Sequence, residues 1–393
     1  RFKTPEKISE NLDKYLMAGI TLNEKSLILR RFKQAEELRI GVRYLIKEAD
    51  LKGTLSDLSN LADVYLQGVL NLACEEVSQK RGHPVVKNFC IVGMGKLGGR
   101  ELNFGSDLDV IFVYDEPDEN NGTHYAAISQ LIYKLTSEMT SAGYAYKIDT
   151  DLRPEGGAGV LVMSIAGYER YFKTRARIWE QHAMVRARVV AGSKEVGEKF
   201  MERVHSFVFQ DNFEYSALIE ISRMRERMEL ELGQEKRKGK NVKLGFGGIA
   251  DIEFAMQILQ LMHGKKNPRL RKTNTLSALD MFVAQGMIDQ SKADQAKGNY
   301  LFLRRLECAL RIIHENPTNN LPKEVRDLAQ LARLMSYTGD DEDSLANALL
   351  KDYEKHTVQM REYYRDTIGQ LLRTGPSSSS AEENENRPID TVN

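Results

Sequence analysis

Two apolar runs, Phe89–Val92 and Leu108–Val113, stand so close together that few folds can accommodate both. A glycine-rich turn, Gly93–Gly99, follows the first run, and only Gly99–Ser106 lies between it and Asp107. That stretch is about two helical turns long at ~3.6 residues each, and it holds Asn103 and Gly105. A crossover helix does not fit between the two predicted strands. The spacing Gly93-x-Gly95-x-x-Gly98 imitates the dinucleotide fingerprint, with Asp115 as its ribose acid, but that fingerprint needs such a helix. A P-loop fits no better, because Lys96 is not followed by Ser or Thr.

The second run opens on Asp107-Leu-Asp109. Side chains alternate faces along a strand, so both carboxylates point one way while Leu108 and Val110 point into a core. Like charges on one face repel unless a cation sits between them. Mg²⁺ takes a few carboxylates plus substrate phosphates, and nearby glycines let backbone N–H groups approach those phosphates. A third acid comes from Tyr144–Pro154, a strand-like run that carries Asp149 and Asp151 and ends at Pro154. Between them, Tyr125–Ala142 has Ile128, Leu131, Ile132, Leu135 and Met139 at helical spacing. Strand, helix and strand bring Asp149 toward Asp107 and Asp109, as metal ligands and catalytic acids. The pattern points to metal-dependent transfer from a nucleoside triphosphate.

Further residues are candidates for binding that nucleotide. Gly98 and Gly99 are expected to form the phosphate-approach turn. Ser106 either binds a phosphate oxygen or caps the strand entry; Lys96 either neutralises triphosphate charge or is solvated. Arg153 is expected to donate bidentately to phosphate in preference to pairing with Glu155. Trp179, His182 and Arg186 lie at i, i+3 and i+7 on one helical face. His182 reads as packing, whereas Arg186 and Arg188 are candidates to face the nucleotide. Asp251 and Glu253 either complement a helix dipole or line the site.

Lys plus Arg number 56 and so do Asp plus Glu, so no global nucleic-acid footprint exists, which argues against a template-dependent polymerase. Cys74, Cys90 and Cys308 show no paired or zinc-binding spacing, and a reducing cytoplasm fits them. No transmembrane run, signal peptide or repeat is visible. Residues 1–84 read as helical, with Leu27, Leu29, Phe32, Ala35, Leu38 and Ile40, then Val42, Leu45 and Ile46, on one apolar face. Arg30, Arg31, Arg39 and Arg43 read as a solvated face, and Thr54 or Ser56 as the cap of a second helix. Residues 85–200 alternate strand and helix, 201–372 are helical, and 373–393 form a disordered tail. The fold class is α+β, mostly helical.

The run Gly93–Asp109 resembles the signature of the glutamine synthetase adenylyltransferase family, within the DNA polymerase beta nucleotidyltransferase superfamily. Further matches are Ile148–Pro154, Trp179–Arg188, Gly247–Phe254 and Tyr300–Glu307, in the family order and across about residues 30–370. The resemblance implies a polymerase-beta-like nucleotidyltransferase core with flanking helices and a C-terminal helical bundle. It implies Mg²⁺ and ATP, with AMP attached to a tyrosine of glutamine synthetase, and the PII signal-transduction protein as a second partner. The family carries two homologous halves, one attaching AMP and one removing it with phosphate. This chain has the length of one half and, beginning at Arg1, looks like an excised fragment. Trp179–Arg188 is closer to the attaching half, whereas Lys243–Ile249 and Val208–Gln210 resemble the removing half. A non-catalytic regulatory module is a further alternative, which the presence of all three acids argues against. Asp151 departs from the family, which more often has Arg there.

Overall fold

The computed structural model describes residues 2–82, 87–115, 122–211, 213–233, 239–313 and 318–374. The expected acidic connection at Glu116–Gly122, basic loop at Gln234–Asn241 and turn at Asn316–Pro322 lie partly outside these residues, and the expected tail lies almost wholly outside them.

Three helices open the chain: α1 (Pro5–Leu16), α2 (Leu22–Leu45) and α3 (Leu51–Arg81). Thr4 and Pro5 start α1, and Thr21 and Glu24 close a capping box on α2. The cap of α3 is Asp50, which accepts the Gly53 N–H at 2.7 Å, and not Thr54 or Ser56. Leu51 and Leu55 are buried too, so the helix begins earlier than a cap at Thr54 or Ser56 implied. Two other expectations for this region are corrected. Arg30 is buried, not solvated, and donates to the carbonyls of Ser26, Glu138 and Gly143 at 3.1 Å each. Arg43 pairs with Asp57 at 2.7 Å. Conversely Leu38, Val42, Leu45 and Ile46, expected on an apolar face, are exposed.

The middle of the chain runs β1 (Phe89–Gly93), α4 (Gly95–Gly98), β2 (Leu108–Tyr114), α5 (Gly122–Ser137), β3 (Ile148–Asp149), β4 (Val162–Ser164), α6 (Ile165–Thr174), α7 (Ile178–Met184), β5 (Arg188–Gly192) and α8 (Lys194–Val208). β1 and β2 are antiparallel, as the short connection between them requires. β5 lies on the other edge of β1, also antiparallel. β3 and β4 share the far edge of β2, β3 beside its start and β4 beside its end, both parallel to it.

Both faces of the sheet are covered. Phe89, Ile91, Leu108, Val110 and Phe112 pack with the N-terminal helices. Cys90, Val92, Ile111 and Val113 lie on the face covered by α8, in a core continuous with the C-terminal helices. That is the two-residue period of a strand, and it explains why β1 and β2 read as unbroken apolar runs. Each such side chain, once buried, contributes ~1.5–3 kcal/mol.

The second half is helical: α9 (Tyr215–Arg227) running into a π-helical turn at Met228–Gly233, then α10 (Ile249–His263), α11 (Thr275–Ala284), α12 (Gln290–Ile313), α13 (Val325–Leu334) and α14 (Glu342–Thr374). α10 is buried almost all round and forms the axis of the bundle. α14 passes the expected end at 372. Among the described residues no helix is long and apolar enough to cross a membrane.

Candidate active site

Asp109 and Asp149 are direct neighbours across the sheet, because β2 and β3 run parallel with Asp109 opposite Asp149 and Leu108 opposite Ile148. Adjacent strands lie ~4.8 Å apart. Asp107 stands one residue before β2, on the same strand face as Asp109, and is exposed. β3 is held by the Leu108 N–H on the Lys147 carbonyl (2.8 Å) and by the Ile148 N–H on the Ser137 hydroxyl (2.9 Å). It stops at Asp149, well short of Pro154, because the Asp149 carboxylate accepts the Asp151 N–H at 2.8 Å and turns the chain. The Asp151 side chain points away toward Arg153, at 3.7 Å.

Gly95 lies under Asp109. Its φ is +50°, and a Cβ there would stand 2.3 Å from the Asp109 Oδ2. Only glycine combines that conformation with that contact. Burial pushes the Asp109 carboxyl up to about 6; Lys243 pulls it down, and Asp149 and Asp107 push it up again. Three oxygen donors on adjacent strands, mutually repelling, are a chemical fit for a hard divalent cation. Among the described residues no three acidic, His or Cys side chains converge as closely as a bound ion would draw them. Asp107 and Ser106 also line a cleft of about 540 Å³ between α2 and Tyr144–Lys147.

The remaining candidates sit elsewhere than the sequence suggested. Gly98 and Gly99 face protein: a Cβ on Gly98 would stand 1.8 Å from the Arg186 carbonyl oxygen, and one on Gly99 2.1 Å from the Arg186 guanidinium. Their role is close packing of the turn against Arg186. Ser106 closes its own turn, accepting the Asn103 N–H at 3.0 Å. Arg153 spends its guanidinium on the carbonyls of Thr150 (2.9 Å), Gly157 (2.9 Å) and Gly159 (3.2 Å), while Glu155 pairs with Arg175 instead. Arg188 is also engaged, bidentately with Asp63 on α3 at 2.8 and 3.0 Å.

Arg186 is buried and Lys96 half-buried, and both pair with Glu253; Arg186 does so at 2.9 Å and also pairs with Glu101. Glu101 takes the Thr275 N–H at 2.6 Å, and its carbonyl accepts from Arg304 at 2.5 Å. Arg304 lies 3.4 Å from Glu307, which accepts from Asn103 at 3.1 Å. The result is a continuous buried ionic network joining the glycine turn to α10, α11 and α12. Burial draws the Lys96 ammonium down to about 8. Burial would raise Glu253, but Lys96 and Arg186 outweigh it and hold the carboxyl well below its usual range. Asp251 belongs to a second cluster, between Arg225 (2.7 Å) and Arg361 (2.9 Å). His182 is packing, as expected: it lies 4.5 Å from the Phe254 ring, and burial lowers its pKa to about 3.

The cation acting most strongly on Asp109 is Lys243, which the sequence reading left out of the site. Its only signal was the run Lys243–Ile249, noted as a family marker and not as chemistry.

Residues 1–203 match the family described as glutamate-ammonia ligase adenylyltransferase, and residues 220–368 match the family described as GlnD PII-uridylyltransferase. Similar proteins include the bifunctional glutamine synthetase adenylyltransferase/adenylyl-removing enzymes of three bacteria. That of Shewanella loihica is 31% identical over 90% of this chain and 38% of its own length. Those of Xanthomonas axonopodis and Pseudomonas aeruginosa are each 34% identical over 79% of this chain, and over 34% and 33% of their own lengths. The chain thus spans about 38% of the relative it matches over most of its length. The match over residues 1–203, containing the paired acids and the glycine turn, makes this chain a member of the glutamate-ammonia ligase adenylyltransferase family.

Proposed function

We propose that this chain catalyses metal-dependent transfer of AMP from ATP to a tyrosine hydroxyl of glutamine synthetase. The parallel register of Asp109 and Asp149, with Asp107 on the same face, carries this reading. Asp107, Asp109 and Asp149 would hold the Mg²⁺ ions, whose contribution when bound is to lower the pKa of the hydroxyl and balance charge on the leaving pyrophosphate. The chain's own part is positional. Gly95 clears space for Asp109, and the Ser137 and Lys147 contacts fix the depth of Asp149. The Asp107 cleft, open to solvent, is where the acceptor side chain would approach. Glutamine synthetase and the PII protein are the proposed partners. The proposed units are the helical region 1–84, the nucleotidyltransferase region 85–200 and the bundle 201–372.

A second reading, removal of AMP by phosphate, is favoured by one observation. Lys96, Arg153 and Arg186 would have suited a triphosphate, and all three are engaged within the protein. One small anion would need fewer cations than a triphosphate.

Two assays on one preparation decide the direction. Unmodified glutamine synthetase with labelled ATP and Mg²⁺ should become AMP-labelled with release of pyrophosphate. Adenylylated synthetase with phosphate should release no ADP. ADP in the second assay without label in the first would establish the removing reaction. No product in either assay, with no metal-dependent nucleotide binding by calorimetry, would leave only a non-catalytic module.

A further inference from the structure

Asp107 lies outside the ladder between β2 and β3, which begins one residue later with Leu108 opposite Ile148. Its placement is set by what precedes it, a turn over Asn103–Ser106. The Ser106 N–H closes that turn on the Asn103 carbonyl at 3.2 Å, and Gly105 takes φ +59° within it. The sheet does not hold this turn; α12 does. Arg311, in the last turn of α12, donates one guanidinium N–H group to two successive carbonyls, those of Phe104 (3.2 Å) and Gly105 (3.0 Å). Glu307 accepts from the Asn103 side chain at 3.1 Å. Glu307 and Arg311 lie at i and i+4 on one helical face, so that face grips the turn at its start and at its tip.

Arg311 is itself aimed. Its second terminal nitrogen donates to the Asn319 side chain at 3.1 Å and lies 3.7 Å from Glu307. Its side chain is only 10% exposed. It lines the same cleft as Gly105, Ser106 and Asp107. A planar fork can serve two carbonyls and an amide oxygen together, which a lysine ammonium cannot do in one plane. The contact joins parts of the chain 206 residues apart.

We propose that Arg311 is a positioning residue for the acid centre: by holding the Asn103–Ser106 turn from the C-terminal bundle, it fixes where the Asp107 carboxylate stands relative to Asp109 and Asp149. This rests on the metal-centre reading of those three acids. It adds that they are placed by different parts of the molecule, Asp109 and Asp149 by the sheet and Asp107 by α12. A displacement of the end of α12 is thereby passed to one acid and not to the other two.

Hydrogen exchange and Mn²⁺ calorimetry on the whole chain test this. In Arg311→Ala the Ser106 amide should exchange at least about tenfold faster, while the β1–β2 ladder keeps its wild-type rates. Mn²⁺ should bind about tenfold more weakly, the scale of losing a group that orients a metal ligand. Arg311→Lys, which still reaches one carbonyl, should recover part of the Mn²⁺ affinity. If Arg311→Ala fails to fold, Arg311→Gln carries the same measurements. An arginine with only a general structural role would speed exchange throughout the sheet and bundle, or would leave Mn²⁺ affinity at the wild-type value. Either result, with a wild type that binds Mn²⁺ normally, overturns this inference alone. A wild type that binds no Mn²⁺ overturns the acid-centre reading with it.

Discussion

Two groups of charged side chains lie within a few residues of each other and follow opposite rules. At the acid centre, Asp107, Asp109 and Asp149 stand together on neighbouring strands, two of them exposed, with negative charge in excess. In the buried network, Glu101, Glu253 and Glu307 are matched by Lys96, Arg186 and Arg304, all buried except the half-buried Lys96. A charge cluster that balances itself costs desolvation and holds elements in register. One that does not balance itself is waiting for a counter-ion. The difference teaches that charge near a reacting centre is informative when it is unmatched. By that criterion the acids are the unmatched group, while Lys96 and Arg186 are paired within the protein.

The sharpest way to break this division is to exchange the effects. Asp109→Asn should lower turnover by at least about a hundredfold, the scale of losing one preorganised electrostatic partner. Its melting temperature should hold or rise slightly, because one repelling charge has gone. A mutant with most of its activity left would end the metal-ligand assignment. Arg186→Leu should do the reverse. It strands Glu101 and Glu253 in the interior, at a cost of ~3–5 kcal/mol in urea unfolding. Near-normal stability with selective loss of nucleotide affinity would move Arg186 back into the site.

Acid titration sharpens the comparison further. Burial would raise Glu307, but Arg304 and Arg311 outweigh it and hold the carboxyl down at about 2, against 4.5 when free. A depressed folded pKa means that this carboxylate's contribution is fully present above about 4.5 and is lost as pH falls toward about 2. The stability gap between wild type and Glu307→Gln should therefore close across that window, read by thermal melts from pH 6 downward. A gap that stays constant would show that the network does not act through charge. The smallest effect is expected at Arg153→Ala. Loss of its bonds to loop carbonyls should cost ~1–2 kcal/mol. Nucleotide affinity should be unchanged, and a tenfold fall by calorimetry would restore the phosphate role.

Much of this was legible in the sequence where a local period carries the information. The helical character of residues 201–372 follows from their apolar pattern. The antiparallel return from β1 to β2 follows from the short connection, and the convergence of Asp149 on Asp109 from a strand–helix–strand order. What escaped is pairing at long range. Lys96 and Glu253 are 157 residues apart, and Arg186 and Glu101 are 85 apart, so no window of sequence shows either as a partner of the other. The glycines are a case of the same kind: the atoms that a Cβ on Gly98 or Gly99 would meet belong to Arg186, far along the chain.

The sandwiched sheet also limits how the protein can be divided or reach its folded state. One face of β1 and β2 is completed by helices before the sheet and the other by helices after it. A fragment ending near residue 200 would keep only part of α8 against Cys90, Val92, Ile111 and Val113 and would lack the later helices that share their core. It would also hold Lys96, Glu101 and Arg186 without Glu253 and Arg304. The turn between β1 and β2 is thus expected to set only when α10 to α12 pack against it.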